Sequence, residues 1–321
     1  MRPTQPVDVQ RRTVAQLAKA MLQTGFQGRK LAEAVETWTL MARNNVTVFM
    51  GLAGAMVPAG MGGLIAFLIE HNLIDCLVST GANIFHDCHE ALGNRHYIGT
   101  HEADDGKLFE HQIDRIYDIF AYEKHFQNTD RFIRDFALEL PHRTYTSPDF
   151  TRLLGKKLSK LGDAPHSLLV SGYRRKVPIF VPALADSSIG LSLYLAKLQG
   201  KSILLDHIED IKILTTLVND ARVTGVIYVG GGVPKNFIQQ TETAIRLEHG
   251  AGNGGGGHDY AIQFTTDMPQ WGGLSGCTFE EAVSWGKIGA QAKKVQVFAD
   301  ATIALPVVIH AVAENLGLEY P

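Results

Sequence analysis

No apolar run in this chain of 321 residues reaches the roughly 18 residues that a membrane-spanning helix needs. The stretch 46–68 comes nearest, but five glycines and one proline divide it into strand, loop and helix. Cysteine is scarce. Cys76, Cys88 and Cys277 are odd in number and lack metal-ligand spacing, which excludes a disulfide framework and predicts free thiols in a reducing cytoplasm. No apolar signal segment follows Arg2, Asp8, Arg11 and Arg12, so secretion is not expected. The formal net charge of −3 leaves no nucleic-acid footprint, and neither a nucleic-acid nor a membrane partner is expected. The 13 histidines are scattered. His86 and His89, and His96 and His101, form close groups, yet neither pairs with a second carboxylate–histidine motif, so no metal is expected. Repeats and dividing linkers are also absent. The expectation is a single domain over 1–321, with 1–24 a short helical N-terminal extension.

What is present is an alternation of short β-branched runs with helical periods. Strands are predicted at 47–50, 75–79, 178–181, 202–205, 225–229, 260–264 and 295–298. Helices are predicted over 14–40 with a break near 25–28, then at 58–72, 86–92, 108–137, 150–161, from 189 onward, and at 210–221, 235–247 and 305–316. The segment 100–171 is the hardest to pack, and the glycine run 253–257 reads as a flexible surface loop. Strands separated by helices of this length predict an α/β fold, a mostly parallel sheet with helices on both faces.

In such sheets, ligands gather beyond the carboxyl ends of the strands. One strand runs into Gly230-Gly231-Gly232 and then a helix, a turn whose glycines let a pyrophosphate approach and whose helix presents free N–H groups. A tight strand–helix turn would have the same pattern. Ser79-Thr80-Gly81-Ala82-Asn83 and Asp186-Ser187-Ser188 are further polar strand ends, and either could be a helix cap. Asp300 follows the last strand, suited to ribose hydroxyls or to capping the final helix. The run Glu280-Glu281-Ala282-Val283-Ser284-Trp285-Gly286-Lys287-Ile288 sets a lysine beside an aromatic and after two carboxylates. A lysine amine becomes a nucleophile on losing its proton, which a dry or cationic setting favours; it can then form a Schiff base. Val283, Trp285 and Ile288 are the candidate dry walls. Trp285 can also hold a cationic amine against its ring, and Glu281 can bind a substrate ammonium. A solvated lysine at a helix end fits the same letters.

Those residues together resemble the deoxyhypusine synthase family. The resemblance rests on Glu281 to Ile288, Val297-Phe298-Ala299-Asp300-Ala301, Ser79 to Asn83, Pro182-Ala183-Leu184-Ala185-Asp186-Ser187-Ser188-Ile189-Gly190 and Gly230-Gly231-Gly232-Val233-Pro234-Lys235, and runs from about Gly25 to Glu314. It implies a Rossmann-like NAD-binding fold and a homotetramer with active sites at dimer interfaces. It also implies a transferase that uses NAD to oxidise spermidine, carries the aminobutyl group as an imine on a lysine, and passes it to an acceptor amine. Lys287 occupies the position of that lysine. Glu281 and Trp285 fall at amine-site positions, with Asn236 and His86 as further substrate-side candidates. Ser79, Thr80, Gly81, Asp186, Ser188, Gly231, Gly232, Thr266, Asp300 and Ala301 fall at or near NAD positions.

The chain departs from the eukaryotic pattern. Gly54-Ala55 replaces a Ser-Asn pair, Asn236 replaces a histidine, and Trp271 and Leu274 stand at two acidic positions. The missing histidine leaves His86 and His258 as candidate bases. Losing carboxylates reshapes polyamine recognition. The chain is similar to the prokaryotic deoxyhypusine synthase-like branch. Three readings stay open: aminobutyl transfer to putrescine giving homospermidine, transfer to a translation-factor lysine giving deoxyhypusine, and a non-catalytic NAD-binding protein.

Overall fold

The computed structural model describes residues 1–250 and 256–319. Of the glycine run 253–257, residues 253–255 lie outside the described residues. The chain packs as two compact units interleaved in sequence: Met1–Ala53, Leu73–Val78 and Ile211–Pro321 form unit 1, and Gly54–Asn72 and Ser79–Asp210 form unit 2.

Unit 1 is built on strands β1 (Thr47–Leu52), β2 (Cys76–Ser79), β3 (Thr224–Val229), β4 (His258–Thr265) and β5 (Ile288–Phe298), in the order β5-β4-β3-β1-β2. The pairs β1–β3, β3–β4 and β4–β5 are parallel. Every residue of β3 is buried, and all of β1 except Thr47. Their near-continuous apolar sequences match strands covered on both faces. The helices are α1 (Val14–Met21), α2 (Phe26–Arg43), α3 (Gly232–His249), α4 (Phe279–Ser284) and α5 (Ala301–Leu316). Helices α2 and α5 pack on β4 and α2 on β5, α3 packs on β1, and α1 packs on α5. The mostly parallel α/β architecture expected from the alternation is the one observed. The predicted strand 295–298 extends back to Ile288. After Ile288 the added residues are small or polar, Gly-Ala-Gln-Ala-Lys-Lys, and so lack an apolar signal.

Unit 2 holds the segment that was hardest to read. Residues 108–137 do not form one helix. A short helix, Asp105–Glu110, leads into an antiparallel hairpin of Ile113–Ile116 and Ile119–Tyr122, followed by the helix Glu123–Glu139. The β-branched and aromatic residues of the hairpin favour strands, and Tyr117 turns the chain with a left-handed φ of 55°. The predicted strand 202–205 shrinks to Leu204–Leu205 and pairs with Thr144–Tyr145 in a sheet of its own. An unforeseen helix, Leu168–Arg175, begins at a Ser167 cap. Asp87 anchors it from a distance. Its buried carboxylate accepts from Ser167 Oγ at 2.8 Å and from the Leu168 and Leu169 amides at 2.7 and 2.9 Å. Burial pushes this carboxyl up to about 7, against the pull of those donors.

Helix α1 is tied to α5 by one carboxylate. Glu314 accepts from the Ala15 amide at 2.7 Å and from the Val14 amide at 3.4 Å, at the helix end where backbone N–H groups lack partners. Its slight burial works to raise the carboxyl pKa, but the donors Ala15, Thr13 and Val14 outweigh it and hold the value below the ordinary 4.5. A depressed carboxyl pKa stabilises the fold above the unfolded value, and that contribution is lost as pH falls through the folded value. Protection of the α1 amides against hydrogen exchange should therefore drop when pH is lowered below 4.5. Glu314→Gln should show the weaker protection already at neutral pH, with little further change in acid.

Candidate active site

The strand ends of unit 1 fall along one edge. The registers Val229↔Phe264 and Thr265↔Phe298 align the carboxyl ends of β3, β4 and β5. Gly230-Gly231-Gly232, Thr266 and Asp300 follow these ends directly. Helix α3 begins at Gly231 with no side-chain cap, so its first N–H groups are offered to whatever lies beyond the edge. Gly231 must be glycine, because a Cβ there would stand 2.4 Å from Ser275 Cα. The segment after β4 thus packs directly on the glycine turn. Trp271 and Leu274, in that segment, are exposed. Asp300 caps α5, accepting from the Thr302 amide at 2.7 Å, with Ala301 as the first helical residue.

Lys287 immediately precedes β5, and its carbonyl accepts from the His258 amide at 3.2 Å. Its side chain leaves that end of the strand. Nζ donates to Asn236 Oδ1 at 3.3 Å and lies 5.4 Å from the Trp285 ring centre. Asn236 is four residues into α3 from Gly232, about one helical turn from the glycine edge. The structure therefore brings Lys287, Trp285 and Asn236 together in unit 1. The dry walls are incomplete: Ile288 is buried, but Trp285 is 63% exposed and Lys287 is half-buried. Glu281 is exposed. Its backbone amide donates to the Thr278 cap at 3.1 Å, and its carboxylate sits beside the Cys277 thiol. Burial raises the pKa of that thiol, Lys235 and Lys287 oppose the rise, and Glu281 adds to it.

Two groups that sequence reasoning missed hold this region in place. Arg246 donates to the Gly286 and Trp285 carbonyls at 2.7 and 2.6 Å, clamping the turn that presents Lys287. Lys235, fully buried, donates to Gln263 Oε1 at 3.0 Å and to the Cys277 carbonyl at 2.7 Å. Gln263 Nε2 in turn donates to the Gly230 and Ser275 carbonyls, each at 2.9 Å. Gln296 Nε2 donates to Gln263 Oε1 at 2.9 Å, and Gln296 Oε1 accepts from the Phe279 amide at 3.2 Å. The only signal in the sequence was a glutamine standing inside each of two otherwise apolar strand cores.

His258 is buried and held neutral, its pKa pushed down to about 3 by burial, with Nδ1 3.0 Å from Thr224 Oγ1.

The other predicted residues belong to unit 2, which resumes at Ser79, the last residue of β2. Ser79 is buried at the end of β2. Thr80 caps the helix Gly81–Ala91 and donates to the Gly54 carbonyl at 2.8 Å. Gly81 lies against Ser187, where a Cβ would stand 2.3 Å from Oγ, so the Thr80-Gly81 turn and the Asp186-Ser187-Ser188 turn meet. The helix Ser188–Leu198 also begins without a side-chain cap. His86 points elsewhere, into a packed imidazole group. Its Nδ1 is 2.9 Å from His96 Nε2, and His96 Nδ1 is 2.7 Å from Glu90 Oε1. Burial, then His96 and His89, push its pKa down to about 3, so it is neutral. Among the described residues no group of three or more His, Cys, Asp or Glu is placed to hold a metal ion.

Removing the Arg246 clamp should free the lysine turn. Arg246→Met leaves two carbonyls without their charged donor and should lower stability by about 1.5–3 kcal/mol. Denaturant melts check the loss, and faster amide exchange at Gly286 and Lys287 would localise it.

The same chain matches known proteins along nearly its whole length. The deoxyhypusine synthase family model matches residues 16–312. A probable deoxyhypusine synthase 2 of Methanosarcina acetivorans is 60% identical over 314 residues, covering 98% of this chain and 90% of the relative. Its counterpart in Archaeoglobus fulgidus is 54% identical over 302 residues, covering 94% and 98%. Among solved structures, a deoxyhypusine synthase candidate from Entamoeba histolytica superimposes with a TM-score of 0.64 at 17% identity, covering 93% of this chain and 92% of that one, which is a likeness of fold. The chain belongs to the deoxyhypusine synthase family.

Proposed function

We propose that the chain is an NAD-dependent aminobutyl transferase in which Lys287 is the catalytic residue. The observation that carries this reading is the lysine amine itself, held 3.3 Å from Asn236 Oδ1 and 5.4 Å from the Trp285 ring centre, on the turn that carries the family motif. Both contacts orient the amine. Neither removes its proton, since an amide oxygen accepts hydrogen bonds without being a base at neutral pH. An unprotonated Lys287 adds to an imine of the aminobutyl fragment, releases the diamine that carried it, and keeps the carbon chain as an imine on Nζ. The acceptor amine then displaces Lys287 from that carbon. Trp285 and Glu281 attract the cationic polyamine through ring face and carboxylate.

The residues present fit NAD. The uncapped glycine start of α3 suits a pyrophosphate, Asp300 has carboxylate capacity beyond its cap, and Thr266 shares their edge. In unit 2, Ser79, Thr80, Gly81, Asp186 and Ser188 form the second polar turn region. NAD held by these residues would supply the hydride acceptor for oxidising the donor amine and the hydride donor for reducing the final imine. The names of the archaeal relatives favour a protein lysine as acceptor. Asn236, and the exposed apolar Trp271 and Leu274, favour a free amine such as putrescine.

The enzyme works as a homotetramer with sites at subunit interfaces. Leu191, Tyr194 and Leu198, at 60, 56 and 65% exposure, form an apolar stripe on the helix Ser188–Leu198, a face suited to a second copy. No described helix is long and apolar enough to cross a membrane. The free thiols Cys76, Cys88 and Cys277 support a cytoplasmic setting.

Incubation with NAD and spermidine should release 1,3-diaminopropane, and Lys287→Ala should cut that release by at least about a thousandfold. Unchanged release by the variant would remove the lysine from the mechanism. Offering putrescine and an acceptor protein separately, and identifying the product by mass spectrometry, decides between homospermidine and deoxyhypusine. On light scattering, Leu198→Glu should give a smaller species than the wild type.

A further inference from the structure

Gln263 stands fully buried in β4, where a strand covered on both faces favours an apolar side chain. A carboxamide is tolerated there when its hydrogen-bonding positions are filled, and all four are. Oε1 accepts from Lys235 Nζ at 3.0 Å and, at 2.9 Å, from Nε2 of Gln296, its register partner on β5. Nε2 donates to the Gly230 and Ser275 carbonyls, each at 2.9 Å. These partners fix the orientation of the amide, because the reverse would set its nitrogen against an ammonium and its oxygen against two carbonyls. The acceptor half therefore faces the buried cation. The donor half faces two segments that touch each other: a Cβ on Gly231 would stand 2.4 Å from Ser275 Cα. Gly230 is held from β4 twice, since its own N–H donates to the Phe264 carbonyl at 2.8 Å.

We propose that Gln263 is a positioning residue whose amide N–H groups lock the glycine turn to the segment carrying Trp271 and Leu274, so that cofactor binding at the turn also sets that segment. This inference rests on the reading of the turn as part of the NAD site. The Gly230 peptide leads into the first amides of α3, the groups offered to a pyrophosphate. A glycine triplet is conformationally loose, and Gly230 and Gly232 have left-handed φ values of 69° and 54°. The two bonds to β4 remove that freedom at Gly230 before a ligand arrives, which lowers the ordering cost of binding. A ligand that orders the turn orders Ser275 through the same nitrogen. It also orders Phe279 through Gln296, whose Oε1 accepts from the Phe279 amide at 3.2 Å. Such coupling is reciprocal, so contacts made by Trp271 or Leu274 with an amine tighten NAD binding by the factor by which NAD tightens them.

Gln263→Glu separates the two halves of the amide. Its carboxylate keeps acceptors for Lys235 and Gln296 and adds an opposite charge for the ammonium, which should preserve the fold. Toward Gly230 and Ser275 it presents oxygen, and both carbonyls lose their donor. Calorimetric titration of the full-length protein with NAD should give a Kd about tenfold weaker in the variant, with a denaturant midpoint near that of the wild type. A purely structural glutamine would shift the midpoint and leave the affinity alone. Hydrogen exchange, read by mass spectrometry with electron-transfer fragmentation, is the second arm. In the wild type NAD should slow exchange at 231–235, at 275–277 and at Phe279, and in the variant at 231–235 alone. An unchanged Kd, or protection at 275–277 and Phe279 that persists in the folded variant, overturns the proposal. Should the variant fail to fold by circular dichroism, the wild type decides: slowing at Phe279 supports the coupling, and slowing confined to 231–235 refutes it. A wild type that binds no NAD removes the cofactor reading itself, and the proposal falls with it.

Discussion

A charged amine in a protein interior survives only where hydrogen-bond acceptors meet it, and in this chain that constraint organises the site. Lys235 draws Gln263 and the Cys277 carbonyl around it. Gln263 reaches Gly230 and Ser275, and Gln296 reaches back to Gln263 and on to Phe279. One polar network thus connects the glycine turn, the segment over it, the start of α4 and two adjacent strands. Remove the ammonium and two acceptors lose a charged donor. Remove Gln263 and the ammonium keeps one acceptor while the Gly230 and Ser275 carbonyls lose their donor; remove Gln296 and the Phe279 amide loses its acceptor. Such networks act as units, so the position of the lysine turn depends on residues that never touch a substrate.

Much of this was legible in the sequence, and the failures have physical causes. The buried strands β1 and β3 announced themselves as β-branched and apolar runs, and the glycine triplet after β3 marked the helix start. The Glu281-to-Lys287 motif pointed to the lysine without help from the fold. The hairpin 113–122 was lost because isoleucines three residues apart mimic a helical face, and the left-handed turn at Tyr117 carries no glycine to mark it. Lys235 looked like one letter of a motif, because its partners lie 28 and 42 residues away. Asp87 was equally silent, its donors being more than 80 residues distant apart from Ser167, at 80. Local patterns report periods and caps. They do not report which polar group a buried carboxylate or ammonium will meet.

The site also shows a division of labour between orientation and proton transfer. Asn236 fixes the Lys287 amine by accepting from it, and cannot take the proton. His86 and His258, the imidazoles nearest to the matched motifs in sequence, are both packed and neutral. Trp285 stays largely open and approaches the amine from outside. Orientation of the half-buried Lys287 amine therefore comes from an amide side chain and from the turn that Arg246 clamps.

The interleaving of the two units has a consequence for biosynthesis. All of Gly54–Asn72 and Ser79–Asp210 is synthesised before β3. Unit 2 can condense during elongation, whereas α1, α2, β1 and β2 must wait, unsheltered, for β3, β4, β5 and α5. The apolar faces of β1 and α2 are then the surfaces most in need of a chaperone, and the last helix to emerge, carrying Glu314, is the one that docks the first.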